Sequence, residues 1–241
     1  MRNMTVIEHE KNLGLARSII YGVTQLCREH GSVIVIEDDL IVAPYFLTYM
    51  NLALKCFADR SEVMHISGYM YPVELESSTD ALFLPFISSW GWATWQRAWQ
   101  HFDPYMSSFD KLAGDAHLRR KFDLEGAYPF FRTIRRQREG KIDSWAIRWY
   151  LSVFMRQGVA LYPTRSLVRN EGLDGSGTHW KARETALTGP LCMAPLTRLP
   201  ETTTVDEQAY RRVVSFLRRY NHPLRKAWRR LRATVHLPAI Q

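Results

Sequence analysis

The feature that most constrains the fold is a short β-branched run that ends in three acids. Residues 33–36 read VIVI, and Glu37, Asp38 and Asp39 follow them directly. A continuous apolar run of this length is typical of a strand that is covered on both faces. Carboxylates at the end of a buried strand are costly unless solvent, a basic partner or a metal ion compensates their charge. The nature of that compensation bears directly on function.

The flanking segments predict alternating helices and strands. Apolar residues have helical spacing over residues 13–29 and again over residues 45–58, and Val63–Ser67 is a second short strand. This alternation predicts an α/β fold with a mixed, mainly parallel sheet flanked by helices. Residues 77–110 are rich in Trp, Phe and Pro and have poor periodicity. We interpret them as a loop-rich or strand-containing insert.

Length and composition predict one principal domain. A chain of 241 residues with 46% hydrophobic content can bury a sizeable core, which we assign to residues 1–198, followed by a basic, helical tail over residues 199–241. Three cysteines without close spacing argue against a disulfide framework or a structural zinc site. No apolar stretch is long enough for a transmembrane or signal segment, so we expect a cytoplasmic protein.

The positive charge is concentrated near the C-terminus. The net charge is +8, and nine basic residues lie between positions 210 and 232. No helix-turn-helix, zinc or RNA-binding signature accompanies them, which argues against nucleic acid as a partner. Apolar residues interleave with the arginines, a pattern that favours a peripheral segment on the anionic inner face of a membrane. The alternative is an ordinary solvated helix face.

The acidic triplet fits a metal site in the predicted fold. In open α/β sheets, ligands bind beyond the carboxyl ends of parallel strands, where Glu37, Asp38 and Asp39 are expected. Mg²⁺ or Mn²⁺ takes carboxylate oxygens, with phosphate oxygens and water completing its shell. A nucleoside diphosphate would supply those phosphates. The alternative is a solvated acidic turn before the next helix.

The tryptophans of residues 88–99, SSWGWATWQRAW, divide into two pairs. Trp95 and Trp99 are at helical spacing and are assigned to the core. Trp90 and Trp92 flank Gly91, and two interpretations stay open for them. They either belong to the core or form the wall of a sugar pocket, because aromatic faces stack well on pyranose rings.

Two further segments carry candidate site residues. In KIDSWAIRWY, Asp143 is predicted at the N-cap of a helix over residues 144–156, where it either caps the helix or acts as a general base. Residues 168–180, VRNEGLDGSGTHW, form a glycine-rich loop. This loop is either an ordinary surface loop or one whose Gly175 and Gly177 admit a phosphate or sugar, with His179 as a ligand of the metal or the diphosphate.

Six motifs together resemble one enzyme family. In chain order they are KNLGLA, VIVIEDDLIVAPYF, VMHISGY, SSWGWATWQRAW, DSWAIRWY and LVRNEGLDGSGTHW, covering residues 11–180. The ordered set resembles a bacterial group of nucleotide-sugar glycosyltransferases similar to the Golgi N-acetylglucosaminyltransferase I enzymes. The resemblance implies a GT-A fold and an inverting transfer of a sugar from a nucleoside-diphosphate sugar, with UDP favoured. It further implies Mn²⁺ or Mg²⁺ as cofactor and a hydroxyl of a glycan or lipid-linked acceptor, in cell-surface polysaccharide synthesis.

The resemblance also implies roles for individual residues. Asp39 is the expected metal ligand, with His179 as a second, and Asp143 is the expected catalytic base. The expected donor-binding residues are Asn12, Gly14, Glu37, Asp38, Trp90, Gly91, Trp92, Gly175 and Gly177.

One departure from the family concerns the N-terminal side. Complete members have a further strand–helix region there, whereas only 36 residues precede Glu37 in this chain. The resemblance therefore implies an N-terminally truncated fold with an uncovered strand edge. The alternative function is a catalytically inactive or partner-dependent remnant that acts as a binding module.

Overall fold

The computed structural model describes residues 4–172 and 185–222. The elements in these ranges are α1 (Leu15–His30), β1 (Ser32–Val35), β2 (Leu40–Val42), α2 (Phe46–Cys56), β3 (Val63–Ser67), β4 (Ala81–Leu84), β5 (Trp92–Trp95), α3 (Gln96–Trp99), α4 (Phe109–Gly114), α5 (Ala116–Phe122), α6 (Phe130–Arg138), α7 (Trp145–Met155), β6 (Val159–Pro163), β7 (Val168–Asn170) and α8 (Glu207–Asn221). A 3₁₀ turn, Thr185–Leu187, lies between β7 and α8 in the chain.

Five strands form the main sheet in the order β1-β5-β3-β6-β4, and β2 pairs with β7 in a separate ladder. The predicted mixed sheet flanked by helices is confirmed. The prediction that the sheet is mainly parallel is wrong, since β3–β6 is parallel while β1–β5, β3–β5 and β4–β6 are antiparallel. The reason is the Trp-rich insert, which supplies β4 and β5. Strand β5 enters between β1 and β3, so these two strands run parallel without touching.

Side chains alternate between the two faces of the sheet and meet a different helical layer on each. Along β4, Leu82 and Leu84 join one core cluster while Ala81 and Phe83 join the other. Helices α1, α7 and α8 supply buried residues to the first cluster, and α2 supplies them to the second. The sheet is therefore covered on both faces, as the continuous apolar run of the first strand predicts.

Helix α1 ends and β1 begins at one glycine. Gly31 has a left-handed backbone, with φ of 77°, and its N–H donates to the carbonyl of Cys27 at 2.9 Å. This geometry is a common helix stop, and it reverses the chain so that β1 packs against the helix it follows. In the described sheet β1 is one of the two outer strands, with β5 as its neighbour.

Helix α8 uses its apolar face in the core. Val213, Val214 and Leu217 are buried in the same core cluster to which α1 and α7 contribute, and Asp206 caps the helix by accepting the N–H groups of Gln208 and Ala209. Over this range the amphipathic pattern that favoured membrane contact belongs to a helix of the core. The remaining basic residues, over 223–241, lie outside the described part. Within the described ranges, no helix is both long and apolar enough to cross a bilayer.

Arg97 joins the end of α2 to the start of β3. Its guanidinium donates to the carbonyls of Ala58 at 2.6 Å, Val63 at 2.8 Å and Phe57 at 2.7 Å. The same group lies 4.2 Å from the centre of the Trp95 ring. The planar guanidinium group thus donates hydrogen bonds to three carbonyls where the chain reverses between α2 and β3.

We expect Arg97→Lys to lower the free energy of unfolding by about 2 kcal/mol, because an ammonium group cannot reach three carbonyls in a fixed fork or stack on an indole. Urea denaturation measures the change. Arg28→Lys on the exposed side of α1 is the control, with an expected effect below about 0.5 kcal/mol. Equal stability of the two variants would contradict the assigned role of Arg97.

Candidate functional site

The predicted site residues gather at one edge of the main sheet. Trp92, the first residue of β5, is paired with Val35 near the end of β1 and with Ser67 at the end of β3. Strand β6 is parallel to β3 and therefore ends at the same edge. Ligands in open α/β sheets bind beyond strand ends of this kind. This edge is the candidate site.

The first turn of α1 lies toward the same edge. Because α1 reverses at Gly31 and packs against β1, its N-terminal end points the way β1 ends. The Asn12 side chain accepts the N–H of Gly14 at 2.8 Å, which fixes the turn before the helix. The structure thus brings Asn12 and Gly14 to the side of the sheet where the acidic triplet lies.

The triplet is joined to the glycine-rich loop by the β2–β7 ladder. After β1 the chain turns, with the N–H of Leu40 donating to the carbonyl of Glu37 at 3.2 Å. Leu40 then pairs with Asn170, and the N–H of Glu171 donates to the carbonyl of Asp39 at 2.9 Å. The Asn170 side-chain amide donates to Asp39 Oδ2 at 3.1 Å. Two motifs far apart in the sequence therefore meet at Asp39.

Two oxygens face the same small space at this meeting point. Asn170 is buried, and its Oδ1 atom has no hydrogen-bond partner among the residues that the structure describes. A Cβ atom on Gly172 would lie 2.7 Å from Asp39 Oδ2 and 3.3 Å from Asn170 Oδ1. Any side chain at position 172 would therefore fill the space between the two oxygens. We call Glu37, Asp38, Asp39, Asn170 and Gly172 the acid corner.

The donors of the acid corner fit Mg²⁺ or Mn²⁺. Both cations prefer oxygen ligands, and Mg²⁺ commonly uses few protein ligands together with water and substrate phosphates. In the described part of the chain, no three His, Cys, Asp or Glu side chains converge as metal ligands. A metal bound here would rely on Asp39 and the Asn170 amide oxygen. Sequence reasoning placed Asn170 and Gly172 in the loop without counting them among the ligands.

The triplet carries unbalanced negative charge. Glu37 is half-buried, whereas Asp38 and Asp39 are exposed. Burial, together with the nearby carboxylates of Asp39 and Asp38, raises the pKa of Glu37 to about 7, and burial is the largest cause. None of the ion pairs within residues 4–172 and 185–222 involves these acids.

Asp143 precedes the cap of α7 instead of forming it. The N-cap is Ser144, whose hydroxyl accepts the N–H of Ile147 at 3.5 Å, so the predicted capping position is wrong by one residue. The Asp143 side chain is 58% exposed, and Arg148 donates to its Oδ1 atom at 2.7 Å. Ser144 has an extended backbone, which turns Asp143 away from the helix axis and toward solvent. The carboxylate is accessible and held in place.

Asp143 also lies at the candidate edge. The ring of Trp145, two residues further on, stacks on Trp92 with ring centres 4.8 Å apart. Since Trp92 begins β5 at this edge, the start of α7 is positioned over it. The exposed Asp143 carboxylate therefore lies at the same edge of the sheet as the acid corner, which residues of two other motifs form.

The four tryptophans of the insert have different environments. Trp95 and Trp99 are buried, which confirms their assignment to the core. Trp92 has no exposed surface and stacks between His65 and Trp145, so it occupies the core position and offers no face to a ligand. Trp90 is half-buried and packs edge-to-face on Tyr69 with ring centres 4.5 Å apart. Of the two candidates for a sugar-pocket wall, the structure leaves Trp90.

Gly91 allows three elements to meet behind the site. Its φ is 58°, and its carbonyl accepts the N–H of Gly68 at 2.6 Å. A Cβ atom at Gly91 would lie 2.7 Å from Val168 Cγ2 and 3.1 Å from Phe46 Cε2. This glycine therefore brings β5 close to β7 and α2, and its role in the described structure is close packing.

The remaining predicted residues, Gly175, Gly177 and His179, lie outside the described ranges. The other predicted residues lie either at the candidate edge or in the core beneath it. Those at the candidate edge are Asn12, Gly14, Glu37, Asp38, Asp39, Trp90, Gly91 and Asp143, while Trp92 lies in the core beneath it.

No protein-family model matches this sequence, and no curated protein matches it either.

Proposed function

We propose that this chain is a metal-dependent inverting glycosyltransferase of the GT-A type, which transfers a sugar from a nucleoside-diphosphate sugar to an acceptor hydroxyl. The observation that carries the proposal is the meeting of Asp39 with Asn170 beyond the strand ends, where the buried Asn170 Oδ1 atom has no partner in the described part of the chain. Two oxygen donors at such a position suit a cation that binds a diphosphate. The order of the six motifs supports the same class of enzyme.

The acid corner is the proposed donor end of the site. Mn²⁺ or Mg²⁺, when bound there, supplies positive charge for the departing diphosphate. Asp39 and Asn170 hold it, and the absence of a side chain at Gly172 leaves it room. Glu37 and Asp38 offer carboxylate oxygens to hydroxyls of the donor. A UDP-sugar is the favoured donor.

Asp143 is the proposed general base. An acceptor hydroxyl attacks the anomeric carbon from the face opposite the diphosphate, so the new C–O bond forms as the old one breaks. Asp143 takes the proton that the hydroxyl loses. The hydrogen bond from Arg148 fixes the carboxylate in one orientation at the start of α7, so that the base is already oriented when the acceptor hydroxyl binds.

Manganese-dependent binding of UDP tests the proposal. We expect calorimetry to detect UDP binding when Mn²⁺ is present, and Asp39→Asn to weaken it by about tenfold or more, because an amide is a poorer cation ligand than a carboxylate. Asn170→Ala is expected to act in the same direction, since it removes the second oxygen. Asp59→Asn makes the same charge change on an exposed turn before β3, at the opposite end of that strand, and is the control.

Absence of manganese-dependent UDP binding at millimolar concentrations would contradict the proposed site. Equal weakening by Asp59→Asn would show that net charge, and not the acid corner, governs binding. UDP binding that depends on Asp39 without any sugar transfer would favour the alternative function, a binding module that retains the donor site of an enzyme.

A further inference from the structure

A cavity lined with aromatic rings lies beside the start of α7. Its volume is about 230 Å³, and its walls come from the segment after β3, the segment before β5, the start of α6 and the start of α7. Since a water molecule occupies about 30 Å³ of liquid, the space corresponds to about seven or eight waters. It suits one sugar ring with its hydroxyl groups and is too small for an oligosaccharide.

The aromatic walls are held in fixed orientations. On one part of the wall, Tyr69 packs edge-to-face on Trp90 and on Tyr71, and its hydroxyl donates to the carbonyl of Leu187 at 2.6 Å. Because these contacts restrain both the ring plane and the hydroxyl, the wall is formed before any ligand arrives. Preformed walls lower the entropic cost of binding.

A second group of rings completes the lining. Phe130 packs on Tyr128 and on Tyr150, with ring centres 4.4 and 4.8 Å apart. The Tyr150 hydroxyl donates to the carbonyl of Phe122 at 3.0 Å, which fixes that ring from behind. Aromatic faces carry partial negative charge and suit the C–H face of a pyranose. Two such groups around a space of one ring favour a carbohydrate over an extended chain.

The polar groups of the lining are uncharged. Ser88, Ser89, Thr133 and Ser144 contribute hydroxyls, and none of the described residues that line the cavity is acidic, basic or a histidine. Hydroxyls can donate to and accept from sugar hydroxyls, but they leave a carboxylate or phosphate without a countercharge. The lining therefore selects a neutral ring over a uronic acid or a phosphorylated sugar.

The position of the cavity connects it to the proposed chemistry. Ser144 lines it, and Asp143 is the next residue toward the N-terminus. Trp90 lines it from the segment that enters the candidate edge just before β5. We propose that this cavity binds a neutral pyranose of the acceptor, with the attacking hydroxyl directed toward Asp143. This inference rests on the proposed function and assigns the acceptor end of the same site.

Saturation-transfer NMR tests the assignment without UDP or metal. The probes are methyl β-glucopyranoside, methyl β-galactopyranoside, methyl α-mannopyranoside, N-acetylglucosamine and methyl glucuronide, each at millimolar concentration. We expect transfer to ring protons of at least one neutral probe and markedly less to the glucuronide. Trp90→Ala and Tyr128→Ala are each expected to reduce the transfer about tenfold, because each removes part of a separate aromatic group.

Controls separate binding from folding and from the donor end. Tyr105→Ala removes a ring that is 79% exposed elsewhere and should leave transfer unchanged. Near-UV circular dichroism checks that both cavity variants keep their tertiary packing, and calorimetry with UDP and Mn²⁺ is run on the same samples. Retained UDP binding with lost sugar binding in Tyr128→Ala, a position with no expected donor role, supports two ends of one site.

Three results would overturn the inference. They are no transfer to any neutral probe, undiminished transfer in both cavity variants, and preference for the glucuronide. Loss of UDP binding in Trp90→Ala would assign Trp90 to the donor and overturn its acceptor role. Failure of UDP binding in the wild-type chain alone would count against the proposed function while leaving the sugar-binding result measurable.

Discussion

Gly91→Ala is expected to lower the free energy of unfolding by about 3 kcal/mol. Two costs add. The left-handed backbone at Gly91, with φ of 58°, disfavours any residue with a Cβ atom. The new methyl group would also lie 2.7 Å from Val168 Cγ2 and 3.1 Å from Phe46 Cε2, in a region where both neighbours are buried.

Two variants make this prediction sharp. Gly22→Ala adds the same methyl group inside α1, where nothing lies within 4 Å, and should raise stability by about 0.5–1 kcal/mol through its better helix propensity. Val168→Ala combined with Gly91→Ala removes the nearest clash while keeping the backbone cost, so the coupling energy should be favourable. Urea denaturation of the wild type, Gly91→Ala, Val168→Ala and their combination measures the coupling energy, with Gly22→Ala as a fifth chain, and strict additivity would contradict the clash.

The stability of the wild-type chain should fall steeply in mild acid because of His65. The Trp149 indole N–H donates to His65 Nδ1 at 3.2 Å, so the other ring nitrogen, Nε2, carries the hydrogen and donates to the carbonyl of Ser88 at 2.9 Å. Complete burial lowers the pKa of His65 from 6.5 to about 3. A proton added to Nδ1 would face the indole N–H and break this bond.

The direction of the pH effect on stability depends on whether the folded or the unfolded chain binds the proton more readily. Below pH 6.5 the unfolded chain protonates this histidine, whereas the folded chain does not until about pH 3. Stability conferred by neutral His65 is therefore present above pH 6.5 and is lost as the pH falls, by about 1.4 kcal/mol for each pH unit between those limits. Urea unfolding between about pH 4 and pH 7 measures it.

His65→Gln isolates this contribution from the other titrating groups. The variant should be less stable than wild type near neutral pH, and the difference between the two chains should shrink as the pH falls. His30→Gln, at the exposed end of α1, is the matched control and should run parallel to wild type. A difference between wild type and His65→Gln that stays constant across this range would exclude His65 as the titrating group.

Much of the fold follows from local patterns in the sequence. Periodic helices and β-branched strands were predictable because side-chain spacing reports which face is buried. Val63–Ser67 has the predicted bounds, and α1 and α7 begin and end within two residues of theirs. Strand order was not predictable in this way. The insertion of β5 between β1 and β3 depends on how Trp92 and Trp95 fit two opposite cores, and periodicity carries no information about that choice.

The candidate site likewise has one part that the sequence predicts and another that depends on the three-dimensional fold. Acids after a strand point to the right edge, since strand direction alone decides where they lie. The partner of Asp39 was harder to identify, because Asn170 becomes a candidate ligand only through a strand pairing across the fold. Trp90 and Trp92 are two residues apart, yet one lines a cavity and the other is fully buried. Composition cannot separate them, since the choice depends on which face of the sheet each ring meets.

The β2–β7 ladder makes the acid corner a product of the whole fold. Asp39 and Asn170 are 131 positions apart, and the ladder that joins them has three residues in each strand. So short a ladder has little independent stability. By thermodynamic linkage, a ligand that bridges the two strands strengthens the ladder by as much as the closed ladder strengthens the ligand's binding. A fragment that contains only the acidic motif would keep the negative charge but lack this mutual stabilisation. The affinity of a ligand for the acid corner therefore also reports whether the β2–β7 ladder has formed.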